Sequence, residues 1–142
     1  MASDLAKKYT ADHEWVQVVD DNRVRVGITD YAQRSLGDLV YVELPTMGSV
    51  LGKGDMMGVV ESVKGASDIY APVSGKITKI NDQTSLKPVI INKSAEQDGK
   101  HRTQLFKQIN VGWLCEMELN ENNELDALYD EEGYVSFCKG QN

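Results

Sequence analysis

A chain of 142 residues with 41 % hydrophobic content is long enough for a single domain that buries about 70 % of its unfolded surface. A formal net charge of −7 argues against a nucleic-acid binder, which needs a basic face for phosphates, and against a membrane-surface protein. No apolar run approaches the roughly 20 residues that span a bilayer.

Residues 1–8 lack the apolar core of a secretory signal and read as an N-terminal extension. Trp15–Val19 and Arg23–Ile28 alternate like strands around the turn signal Asp20-Asp21-Asn22. Thr29 is a good N-cap for a short helix over 29–36, and Gly37 stops it. Leu39–Leu44 is a strand ended by Pro45, and Gly48, Gly52 and Gly54 punctuate the turns that follow.

Two extended runs, Met56–Val60 and Ile69–Ser74, flank Lys64. The link between them contains Gly65, Ala66 and Ser67, so the pair reads as a β-hairpin. A lysine at its tip extends into water, where a modifying enzyme can reach the amine. Lys76–Ile80 is a further strand.

Residues 81–110 are the least regular. Pro88–Asn92 reads as a short extended piece and Gln104–Ile109 as one or two amphipathic helical turns. Trp113–Leu119 reads as a strand with Trp113, Cys115, Met117 and Leu119 inward. Asn123 is a candidate cap for a last helix over 123–132 that carries Leu125, Leu128 and Tyr129 inward, with Gly133 ending it.

The many short strands with a little helix near each end predict a mainly β sandwich or flattened barrel. The acidic residues between Glu116 and Glu132 read as a solvated surface, or as a face steering the chain toward basic docking sites. Cys115 and Cys138 are too few for a disulfide framework and form no metal-ligand cluster, which favours a reducing compartment. His13 lacks a nearby Cys or Ser in sequence and reads as a packed or surface residue.

The segment Glu61-Ser62-Val63-Lys64 with Ala66-Ser67-Asp68 resembles the lipoyl-attachment site of the glycine cleavage system H protein family. An ordered series extends the resemblance over roughly residues 8–138. It includes His13–Val16, Val26–Asp30, Leu36–Asp38, Val42–Pro45, Lys53–Asp55, Pro72–Gly75 and Gly112-Trp113. The neighbours of Lys64 are Val63 and Gly65, unlike the flanking residues of biotin carriers or acyltransferase lipoyl domains.

The resemblance implies a barrel-sandwich hybrid of the lipoyl and biotinyl kind. It spans a single domain over 9–138, with an insertion within about 82–111 and a tail at 139–142. It implies a non-catalytic carrier whose cofactor is lipoic acid, held covalently on Lys64 after action by lipoylating enzymes.

Its implied partners are a pyridoxal-phosphate glycine decarboxylase (P protein), a tetrahydrofolate-dependent aminomethyltransferase (T protein) and dihydrolipoamide dehydrogenase (L protein). By resemblance Glu61 and Gly75 guide lipoylation, while Glu14 and Asp68 are candidates to pair with the amine of the loaded arm. Where family members often have His, this chain has Tyr31. The expected state is a monomer, in the mitochondrial matrix if eukaryotic or the cytoplasm if bacterial. Two other readings stay open: a lipoate relay to other proteins, and an unmodified interaction domain.

Overall fold

The computed structural model describes residues 7–96, 112–120 and 122–140. Strands β1 (Lys7–Tyr9), β2 (Glu14–Asp20) and β3 (Arg23–Ile28) lead into helix α1 (Asp30–Leu36). Then come β4 (Leu39–Glu43), β5 (Val50–Leu51), β6 (Met56–Ser62), β7 (Ala66–Tyr70) and β8 (Gly75–Ile80). Short helices α2 (Asp82–Leu86) and α3 (Val89–Ser94) precede β9 (Cys115–Leu119). A 3-10 turn (Asn122–Ala127) and helix α4 (Glu131–Gly140) finish the described chain.

The strands form two antiparallel sheets, which is the mainly β sandwich expected. Six strands lie in the order β1-β2-β3-β9-β8-β5 and three in the order β4-β6-β7. Their facing sides make the core. Val24, Val26, Ile77 and Met117 of the large sheet are fully buried, and Val42, Val60 and Ile69 of the small sheet are nearly so. The alternation in β3 and β6 is the cause, since every second side chain points inward.

Helix α1 begins and ends as its sequence predicts. The Thr29 hydroxyl accepts from the Ala32 amide at its start. Gly37 at its end has φ +83° and ψ −158°, a region that side chains with a Cβ avoid.

Four local expectations are corrected. Val89–Ser94 is helical rather than extended, with Ile90 and Ile91 buried and the Ser94 hydroxyl donating to the Ile90 carbonyl. Pro88 suits that helix start because it has no amide to leave unpaired. Trp113 is only partly buried and precedes β9. Arg25 lies over its ring, 4.7 Å from the centroid.

Glu116, read as part of the acidic surface, is 4 % exposed. It accepts from the Arg25 guanidinium at 3.1 and 2.8 Å across the β3–β9 pair. The last helix begins at Glu131, not near 123, and Tyr129, expected inward, lies before it and is exposed. Asp130 caps it by accepting from the Gly133 amide at 2.8 Å, so Gly133 lies inside the helix. The helical turns expected over Gln104–Ile109 lie outside the described residues.

Helix α4 closes the far side of the large sheet. Tyr134 stacks on Tyr9 with ring centroids 4.6 Å apart, above the buried Trp15. The Trp15 indole donates to the Ala95 carbonyl at 2.8 Å, which ties the end of residues 82–96 to β2.

Candidate functional site

Lys64 stands at the centre of a four-residue turn between β6 and β7. The Ser62 amide donates to the Gly65 carbonyl at 2.7 Å, and the Gly65 amide returns the bond at 3.3 Å. The Ser62 hydroxyl also accepts from the Lys64 amide at 3.1 Å. Ala66 and Ser67 belong to β7, so the link is tighter than the sequence suggests. Strand pairing from Val59↔Asp68 to Glu61↔Ala66 makes the hairpin a stiff base for an exposed side chain.

The Lys64 stem lies against the end of α1. A Cβ built on Gly37 would stand 3.3 Å from Lys64 Cε and 3.9 Å from Nζ. Glycine there therefore serves both the backbone conformation and the path of the lysine. Val63, 76 % exposed, sits beside Lys64.

Glu61 lies on β6 between Tyr41 of β4 and Ala66 of β7, three residues before the lysine. Gly75 lies elsewhere, at the corner where β8 starts. It is buried, and a Cβ on it would run into the Glu118 carbonyl oxygen of β9. Its neighbour Ser74 is clamped by Glu124, which accepts from the Ser74 amide at 2.6 Å and from its hydroxyl at 2.9 Å.

Glu14 and Asp68 each contact Tyr70, at opposite ends of that residue. Glu14 Oε2 accepts from the Tyr70 amide at 3.1 Å, and Asp68 is 3.5 Å from the Tyr70 hydroxyl. Asp68 is exposed. Glu14 is only 2 % exposed, so it is no solvent-facing charge. Its other oxygen accepts from the Thr10 hydroxyl at 2.7 Å. Burial pushes the Glu14 carboxyl up to about 7, against the lowering effect of these two hydrogen bonds.

His13 is packed, as expected. Its ring stacks on Tyr31 at 4.4 Å between centroids, and Nδ1 is 2.6 Å from the Tyr134 hydroxyl. Cys115 is buried 3.8 Å from the Met57 sulfur, and desolvation pushes its thiol up to about 12. A buried thiol of that kind is a poor nucleophile. Among the described residues no group of three or more His, Cys, Asp or Glu could hold a metal ion. A cavity of about 460 Å³ opens between α1 and α4, lined in part by Tyr9, Tyr31, Glu96 and Tyr134, and Lys64 does not line it.

Sequence reasoning missed Tyr70, Thr10, Tyr134 and Glu124. Tyr70 stands two residues after Asp68 and shares its strand face, which was a readable signal. Thr10 stands only four residues before Glu14, within reach of a turn, whereas Tyr134 and Glu124 act across long sequence separations and carry no local signal.

A lysine presented on a stiff hairpin of a two-sheet β sandwich is the layout of a swinging-arm carrier domain. The profile of a family described as "Glycine cleavage H-protein" matches residues 7–141. The glycine cleavage system H protein of Thermotoga maritima is 44 % identical over 132 residues, covering 93 % of this chain and 95 % of that one. A putative mitochondrial glycine cleavage system H protein of Schizosaccharomyces pombe is 41 % identical over 133 residues, covering 94 % and 70 %.

The crystal structure of a glycine cleavage system H protein from Mycobacterium marinum superposes with a TM-score of 0.78 at 32 % identity. It covers 95 % of this chain and 98 % of that one. The chain belongs to the glycine cleavage H-protein family. It is a non-catalytic carrier subunit of that system. No described helix is long and apolar enough to cross a membrane.

Proposed function

We propose that Lys64 carries lipoic acid in amide linkage, and that this chain shuttles an aminomethyl group between enzymes. It receives the group from glycine decarboxylase and hands it to the tetrahydrofolate-dependent aminomethyltransferase. It then presents the dithiol to dihydrolipoamide dehydrogenase. The observation that carries this reading is the exposed Lys64 on a doubly hydrogen-bonded turn, in a chain matched to the family over almost its whole length. The residues fit the group. A primary amine in water can be acylated, and its amide survives repeated visits. When bound, the dithiolane supplies the redox and carbon-sulfur chemistry, while the chain supplies the anchor, the tether and effective concentration.

Glu61 and Gly75 guide the lipoylating enzyme in different ways. Glu61 is partly exposed on the anchor hairpin and is open to contact. Gly75 acts through the fold, since it is buried against β9. Asp68 and Glu14 are the carboxylates that meet the ammonium of the loaded arm, Asp68 exposed and Glu14 buried and held on the Tyr70 amide. The carrier domain spans 9–138 and acts as a monomer. Its compartment follows the host, mitochondrial as in the yeast relative or cytoplasmic in a bacterium.

Intact mass after co-expression with a lipoylating enzyme tests the anchor. A lipoyl mass increase is expected, and Lys64→Arg abolishes it. An increase that survives the substitution overturns the assignment. Glycine-dependent loading of the arm by a matched glycine decarboxylase tests the shuttle. Full lipoylation without loading refutes it.

A further inference from the structure

The Tyr134 hydroxyl of α4 lies 2.6 Å from His13 Nδ1 and 2.7 Å from Thr29 Oγ1. Tyr134 is 6 % exposed and Thr29 is fully buried. One phenol can donate to one of these partners while accepting from the other. The Thr29 oxygen already accepts from the Ala32 amide, which leaves its own proton for the phenol. The hydroxyl thus joins three elements: α4, the cap of α1, and the turn before β2.

That turn is strained. His13 has φ +71°, a left-handed conformation that disfavours residues with a Cβ. Its amide donates to the Thr10 carbonyl at 3.1 Å and its carbonyl accepts from the Thr29 amide at 3.0 Å. The next residue is Glu14. Successive side chains point to opposite sides as the strand begins. The His13 ring therefore meets Tyr31, Tyr134 and Phe137, while the Glu14 carboxyl meets Thr10 and the Tyr70 amide. A rotation of the turn that frees the ring must carry the carboxyl with it.

We propose that Tyr134 is a positioning residue. It locks the His13 turn and so holds the Glu14 carboxyl on the Tyr70 amide, coupling the C-terminal helix to the strand that bears Asp68. Its consequence for the loaded arm rests on the reading of Glu14 and Asp68 as amine partners. Tyr134→Phe removes both hydrogen bonds and keeps the ring stack on Tyr9.

The test is amide hydrogen exchange on the full chain, followed residue by residue. In Tyr134→Phe the Tyr70 amide is expected to exchange about tenfold faster, from the loss of two buried hydrogen bonds. The Val60 and Ser67 amides of the same sheet should stay within about twofold. Thr10→Val, which removes the other donor to Glu14, is expected to accelerate the same Tyr70 amide.

Uniform acceleration of all amides in Tyr134→Phe, or none at Tyr70, overturns the proposal. So does acceleration in Thr10→Val alone. The lifetime of the aminomethyl-loaded arm separates the two readings. A shorter lifetime in Tyr134→Phe supports both. An unchanged lifetime with a faster Tyr70 amide leaves the positioning role standing and refutes Glu14 as an amine partner.

Discussion

Replacing Glu14 by Gln should remove a large pH dependence of stability. The wild-type carboxyl titrates near 7 in the fold, against an ordinary value of 4.5. The folded protein therefore holds a proton that the unfolded chain has released between these limits. Stability contributed by this group is full below pH 4.5, falls as pH rises, and is lost above 7. The whole span is about 3 kcal/mol, from 1.36 kcal/mol per unit. Between pH 5.5 and 8.5 the same titration curve predicts a loss of roughly 2 kcal/mol.

Glutamine does not titrate, and its amide oxygen can still accept from Tyr70 while its NH2 turns to the Thr10 oxygen. Urea denaturation followed by the fluorescence of Trp15 and Trp113 gives both stabilities across pH. Other titrating groups cancel in the difference between the two proteins. The difference should move by about 2 kcal/mol in favour of Glu14→Gln from pH 5.5 to 8.5. Parallel stability curves would refute the reasoning, because they would mean that the Glu14 carboxyl is hydrated and ordinary.

Glu116→Ala leaves the Arg25 guanidinium without its buried partner and should cost about 3 kcal/mol, read by the same denaturation. Gly37→Ala places a Cβ at φ +83°, and this should cost about 1–3 kcal/mol in thermal or urea melts. Gly75→Ala pushes β8 off the Glu118 carbonyl. It should lower stability by about 2 kcal/mol or more and slow lipoylation of Lys64 in proportion to the unfolded fraction. Slower lipoylation with unchanged stability would show instead that the modifying enzyme reads this corner directly.

The strands and the hairpin position of Lys64 were legible because each depends on short-range pattern. Val24, Val26 and Ile28 alternate, Thr29 caps, Gly37 stops, and Lys64 sits between two β runs. Glu116 was misread because its partner Arg25 lies 91 residues away and meets it only through the β3–β9 register. Composition cannot reveal such a pairing. The helix over Val89–Ser94 was missed because β-branched residues favour strands. Burial of Ile90 and Ile91 against the core outweighs that preference. Gly133 was misplaced because glycine usually follows a helix, whereas here Asp130 caps the first turn and tolerates it. At the site, the position of Lys64 was readable, but the burial of Glu14 was not.

The order of strands in the large sheet sets the timetable of synthesis. The Lys64 hairpin joins neighbours in sequence, so its pairing needs only the closure of a three-residue link and can begin early. The sheet beneath it cannot close so early. β9 is the bridge between β3 and β8, and it is the last strand made. Until residue 119 leaves the ribosome, β3 and β8 each expose an edge that can pair with another chain. Lys64 thus sits on a local pairing while the large sheet depends on a distant one, so a chain halted before β9 would leave two open, aggregation-prone edges.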